Sequence, residues 1–286
     1  MLNRDQYLLE LATLSADAYL ANPRTKAALL TGSVAEGLCD EYSDCEMCFY
    51  YDELPSEEEL CSARQQNQGS KPLWTMGSVQ EGSYVESYFI KGVEFQIGHE
   101  TIVNWEREIS MILEELSLSP MMKAMSGTLI GIPLYGDRLI QNWKDRIAGY
   151  PDGLAQRMVE HYLRFFPVWG MQEKLARRDA TLWQYQILTE SSQNILGVLS
   201  GINRLYYTPV QLKRMGRLIR QMKIAPENLA SRLEALFQSS PLEVANELEV
   251  LVREVVVLVE RCMPQVDTSS VNQKLGWRQQ PWQFER

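Results

Sequence analysis

Histidine is nearly missing from this chain: 286 residues hold only His99 and His161. That excludes a histidine-rich metal centre, and no Ser-His-Asp or Cys-His arrangement suggests itself. Cysteine is sparse as well, with Cys39, Cys45, Cys48, Cys61 and Cys262. Cys45 and Cys48 form a C-x-x-C, but no second pair exists to complete a zinc site. In a strand the two would point to opposite faces, so both read as ordinary strand cysteines. The phosphate-binding pattern G-x-x-x-x-G-K-[ST] is absent. Positive charge is short, with 28 Lys and Arg against 37 Asp and Glu, a formal net charge of −9. A protein that grips a duplex by its phosphates shows a basic surface, so nucleic acid is not the expected partner, and a cationic small substrate suits the balance better. Apolar runs fall far short of a bilayer span. The N-terminus carries acids and apolar residues at helical spacing, which is not the pattern of a secretion signal. A cytoplasmic protein with no membrane partner is expected.

The informative segment runs from Gly32 to Glu46, Gly-Ser-Val-Ala-Glu-Gly-Leu-Cys-Asp-Glu-Tyr-Ser-Asp-Cys-Glu. It holds a Gly-Ser turn, a polar loop, and then Asp44 and Glu46 entering an apolar run. Residues two apart on a strand share a face, so these carboxylates project side by side. Like charges at that distance repel unless a cation lies between them. Hard oxygen donors select Mg²⁺ or Mn²⁺. Gly32 and Ser33 offer backbone N–H groups at a helix start, where an anion is well placed. Phosphate donors beside a carboxylate pair point to nucleotide chemistry.

Gly32-Ser33, about a dozen residues, then Ser43-Asp44-Cys45-Glu46 resembles the polymerase-beta-type nucleotidyltransferase superfamily, and within it the antibiotic-modifying kanamycin and lincosamide nucleotidyltransferases. The likeness covers residues 26–98. It implies a third acidic residue on a later strand, and Glu94 in Gly92-Val-Glu-Phe-Gln-Ile97 fits, on the face of Gln96 and opposite Val93, Phe95 and Ile97. It also implies an enzyme that transfers a nucleoside monophosphate, AMP from ATP the expected case, to a hydroxyl. Two Mg²⁺ ions would be held by Asp44, Glu46 and Glu94, and the phosphates by Gly32 and Ser33. The acceptor implied is a small molecule such as an aminoglycoside or lincosamide. In two-domain relatives a helical half closes over the nucleotide. Lys213 or Arg178 then becomes a triphosphate ligand, and Glu94, Asp179 or Glu190 the general base. A homodimer is compatible with the resemblance. Two other readings stand beside this one: nucleotidylation of a protein or RNA, and a nucleotide-binding regulator without catalysis.

The expected fold is α+β, a small mixed β-sheet core with flanking helices over 1–137, an all-helical domain over 138–264, and a polar tail over 265–286. An amphipathic helix is expected over 2–21, and strands over 26–31, 44–51 and 74–76. A hairpin is expected over 84–97, turning at Lys91-Gly92. Helix should resume over 100–127, with 128–131 and 133–137 giving an edge strand and the boundary. Ser56 and Ser240 each open a capping box. In the helical half, helices are expected over 138–148, 152–173, 175–201, 209–222, 226–238 and 241–263. Gly32-Ser-Val-Ala-Glu-Gly37 recurs as Gly77-Ser-Val-Gln-Glu-Gly82. The second copy lacks Asp-x-Glu downstream and is too short to indicate duplication.

Overall fold

A computed structural model describes residues 3–282. The chain forms two compact units, Met1–Gly149 and Tyr150–Arg286. Its architecture is α+β, a mixed sheet with flanking helices in the first unit and helices alone in the second.

The first unit runs α1 (Arg4–Leu20), β1 (Thr25–Thr31), α2 (Gly32–Glu36), β2 (Cys45–Tyr51), α3 (Glu57–Gln66), β3 (Trp74–Ser78), β4 (Ser83–Ile90), β5 (Val93–Thr101), α4 (Ile102–Leu113), α5 (Met122–Ile130), β6 (Ile132–Tyr135) and α6 (Asp137–Ala148). Capping boxes at Asn3 and Ser56 fix the starts of α1 and α3. Residue 2, the first of the expected N-terminal helix, lies outside the described residues. The six strands are ordered β3-β4-β5-β2-β1-β6. β2 and β5 are parallel and every other neighbouring pair is antiparallel.

One face of the sheet packs on α1 and α3 through Ala28, Leu30, Met47, Phe49, Phe95 and Ile97. This core also holds ionisable groups. Glu86 and His99 are fully buried, and Glu86 is paired with Arg64 and accepts a hydrogen bond from the Tyr19 hydroxyl. On the opposite face the ring of Tyr50 lies 4.7 Å from that of Trp143 and 5.8 Å from that of Trp105. Those two indoles, from α6 and α4, anchor both helices to the sheet.

This packing moves the expected boundary. Helix 137–148 falls in the first unit, because Trp143 is buried against Tyr50 and Lys144 donates to the Gly131 carbonyl. Residues 128–130 close α5 instead of forming strand, and the edge strand begins at Ile132. The repeated Gly-Ser-Val-x-Glu-Gly motif encodes the same local turn twice. Gly32 and Gly37 bracket a helical turn at φ +69° and +64°, and Gly77 and Gly82 bracket another at +76° and +74°. The first copy leads to the carboxylates; the second makes the β3–β4 connection.

The second unit comprises α7 (Asp152–Tyr162), α8 (Gln172–Ala176), α9 (Thr181–Ile202), α10 (Met215–Arg220), α11 (Leu229–Ala235), α12 (Pro241–Cys262) and α13 (Ser269–Asn272). Its core is α9 against α7 and α12, with Ile195, Leu199, Leu248, Val252 and Val255 fully buried. A β-carbon on Gly197 would meet the Tyr162 ring at 2.2 Å, so this glycine sets how closely α7 and α9 approach. The helix expected over 152–173 stops at Tyr162, ahead of Pro167. That over 175–201 is interrupted between Arg177 and Ala180. Within the expected tail two residues dock on the rest of the unit. Trp277 covers Gly170, and Arg278 donates to the buried carboxylate of Glu249 at 2.7 Å. Residues 283–286 of the expected tail lie outside the described residues. No helix among the described residues is long and apolar enough to cross a membrane.

Candidate active site

β1 ends at Thr31 and the chain turns at once into α2, so Gly32 and Ser33 emerge beside the start of β2. Thr31 is paired with Glu46, and Glu46 with Gln96 on the parallel strand β5. Gln96 is paired in turn with Ser87 on β4. Paired residues of neighbouring strands share a face, and so do residues two apart. Asp44, Glu46, Glu94, Gln96 and Ser87 therefore lie on one side of the sheet. The three expected carboxylates are brought to one end of that face.

Their contacts are specific. The Gln96 amide donates to Asp44 Oδ2 at 2.9 Å and to Glu94 Oε1 at 3.4 Å. The Ser87 hydroxyl donates to the same Glu94 oxygen at 2.6 Å. Glu46 turns the other way, towards the backbone of Gly32. A β-carbon on Gly32 would stand 2.1 Å from Glu46 Oε2. Only glycine meets both demands here, the positive φ and the close approach. Lys123 of α5, largely exposed, lies 3.7 Å from Glu46 Oε1. Ser33 is 8 % exposed, and its hydroxyl has no hydrogen-bond partner. A buried donor without a partner is costly, and ligand oxygen is one way to satisfy it. Ser43 pairs with Asp40, exchanging bonds at 2.9 and 3.2 Å, so Asp44 is oriented by Gln96.

The donor set suits a hard divalent cation: three carboxylates, no thiol, no imidazole. Among the described residues no three His, Cys, Asp or Glu side chains are gathered closely enough to hold an ion as they stand. The amide of Gln96 occupies the space between Asp44 and Glu94, and Glu46 is drawn off towards Gly32.

Three residues here carry no motif. Ser87 and Lys123 become visible only through strand register and the packing of α5. Gln96 was signalled by the polar–apolar alternation along 93–97, whereas Ser83-Tyr-Val-Glu-Ser87 does not alternate. The C-x-x-C cysteines sit as expected on opposite faces, Cys45 buried against α1 and Cys48 under Gly98.

The remaining expected residues belong to the second unit. Arg178 and Asp179 are exposed in the α8–α9 connection, and Glu190 is exposed on α9, where it accepts from Gln186. Lys213 is exposed on a turn at 209–214 and lines a cleft of about 490 Å³ with Thr189, Met215 and Phe237.

No protein-family profile matches the chain, and no curated protein matches it. Seventeen chains of solved structures do. One, the crystal structure of a nucleotidyltransferase-like protein from Exiguobacterium sibiricum 255-15, is 13 % identical, with a TM-score of 0.36 over 96 % of this chain and 82 % of that one. A likeness that distant carries neither a fold nor an activity from one chain to the other.

Proposed function

We propose that the chain is a nucleotidyltransferase. It moves a nucleoside monophosphate from an NTP, with ATP the expected donor, to a hydroxyl of a small molecule. Supporting this is one observation above all: three carboxylates share a sheet face beside the buried, unpartnered hydroxyl of Ser33. Asp44, Glu46 and Glu94 are the residues that would hold two Mg²⁺ ions. Bound there, such ions neutralise charge on the triphosphate and lower the pKa of the acceptor hydroxyl.

The chain's own groups do the rest. Gly32 has no side chain to hold a phosphate off its backbone, and Ser33 donates to a phosphate oxygen. Glu94, fixed by Ser87, accepts the hydroxyl proton. The acceptor oxygen then bonds to the α-phosphorus as the bond to pyrophosphate breaks. Glu94 fits the base role better than Asp179 or Glu190, because it already stands on the carboxylate face. The Gln96 amide links Asp44 and Glu94 across the two strands. An aminoglycoside or lincosamide acceptor rests on resemblance in residues 26–98. A triphosphate contact from Lys213 rests on the two-domain relatives, whose helical half closes over the nucleotide.

Calorimetric titration of ATP with and without Mg²⁺ tests the reading. Wild-type protein should bind ATP only with Mg²⁺, and the Asp44→Asn/Glu46→Gln variant should bind far more weakly. Equal binding by the two proteins would sink it.

A further inference from the structure

The carboxylate face continues beyond the carboxylates. Thr31, Glu46, Gln96, Ser87 and Trp74 form one row across five strands, each paired with the next. Trp74 therefore stands on the carboxylate side of the sheet. Phe89 is paired with Glu94 and shares that side, and Met76 follows two residues after Trp74. All three are exposed, Trp74 at 41 %, Phe89 at 40 % and Met76 at 64 %. Trp74 and Phe89 are diagonal neighbours on β3 and β4, within reach of each other's rings. Over β2 the same face is covered by Trp105 and Trp143. Over β3 and β4 Ser87 is buried, while Trp74, Met76 and Phe89 stand exposed.

Large apolar side chains clustered on an open face mark a binding surface more often than chance exposure. The geometry of the reaction says which ligand lies there. In an in-line displacement the attacking oxygen and the leaving group stand on opposite sides of phosphorus. With the phosphates at Gly32 and Ser33, beside β1, pyrophosphate departs on that side. The attacking hydroxyl then arrives over β5 and β4. Phe89 is one strand from Glu94, and Trp74 is two strands from Gln96, roughly 10 Å at normal strand spacing.

We infer that Trp74 and Phe89 form the floor of the acceptor subsite, and that the acceptor is a hydroxylated compound that lays a ring face on them. Aromatic side chains offer broad, rigid apolar faces on which the C–H face of a ring lies with more contact than a flexible chain can make, tryptophan's being the largest. This inference rests on the nucleotidyltransferase reading for its orientation.

The test uses kanamycin as the ring-bearing probe and spermine as an amine-rich probe without rings. Binding is measured by calorimetry without nucleotide, on wild-type protein and on the Trp74→Ala, Phe89→Ala and Trp74→Phe variants. MgATP binding and sedimentation velocity are measured on each. Kanamycin should bind about tenfold more weakly to either alanine variant and nearly normally to Trp74→Phe. Spermine should be indifferent to all three, and MgATP affinity unchanged. Equal kanamycin binding by every variant, or none by the wild type, overturns the inference. So does a Trp74→Ala variant that changes oligomeric state without losing kanamycin, because the patch is then a self-association surface. The two readings fail separately: absence of MgATP binding by the wild type strikes the catalytic one, whereas kanamycin contact is read without nucleotide.

Discussion

Gly32 and Gly37 make a matched pair for testing the approach of Glu46. Both have left-handed backbones, φ +69° and +64°. A β-carbon on Gly32 would meet Glu46 Oε2 at 2.1 Å, whereas one on Gly37 would meet nothing within 4 Å. Holding an L-residue at such a φ costs about 1–2 kcal/mol. Alanine recovers roughly 0.5 kcal/mol of that, because it is less free than glycine in the unfolded chain. Either substitution should therefore destabilise the first unit by about 1 kcal/mol, a fall in its melting temperature of about 3 °C. The extra contact in Gly32→Ala adds little to that loss, since a carboxylate on a flexible arm can swing aside. It does evict Glu46 from its place beside Gly32 and Ser33, the proposed phosphate donors. A displacement of that size costs about a hundredfold in turnover. Differential scanning calorimetry and MgATP titration on both variants give the comparison. Equal melting with binding impaired only in Gly32→Ala is the expected result. Equal MgATP affinity in the two variants would refute the placement of Glu46.

Other predictions follow from the buried groups. Burial works to raise the Glu86 carboxyl, but the adjoining His99 ring and the Arg64 guanidinium hold it below the usual range, and burial likewise lowers His99. Both folded pKa values are depressed, so their stabilisation is complete above the unfolded histidine value of about 6.5 and is lost as pH falls. His99 gives the first part of that decline and Glu86 the part below about pH 4.3, and urea unfolding across pH 4–8 should show His99→Gln flattening the upper part. Removing the carboxylate in Glu86→Ala strands Arg64 and should cost about 3–5 kcal/mol, read from urea unfolding at pH 7. Burial pushes the Cys45 and Cys48 thiols up to about 12, so iodoacetamide at pH 8 should leave both unmodified until the protein is denatured, as mass spectrometry would show. Lys213→Ala should weaken MgATP binding about tenfold if Lys213 meets the triphosphate, with melting unchanged; unchanged affinity removes Lys213 from the site.

What could be read from the sequence was local. Ser56 and Ser240 announce their helices because a capping box is complete within four residues. β2 and β5 were legible because Asp44, Glu46, Glu94 and Gln96 alternate with apolar residues, which put Asp44 beside Glu46, while Glu94 was joined to them by resemblance and then by strand register. Tertiary choices were hidden. Residues 128–130 have the composition of a strand, yet they close a helix whose Met125 is buried. Helix 137–148 reads like its helical successors, and only its indole against Tyr50 assigns it to the sheet unit. Ser87 and Trp74 belong to the carboxylate row by register alone, and register is a property of paired strands, not of either one.

The most direct test of the central claim is pyrophosphate release. Each NTP would be supplied with Mg²⁺ and a panel of aminoglycosides and lincosamides, with wild-type protein beside the Asp44→Asn/Glu46→Gln variant. The account predicts release that depends on ATP and on a ring-bearing acceptor and that vanishes in the variant. Release that persists undiminished in the variant would contradict it.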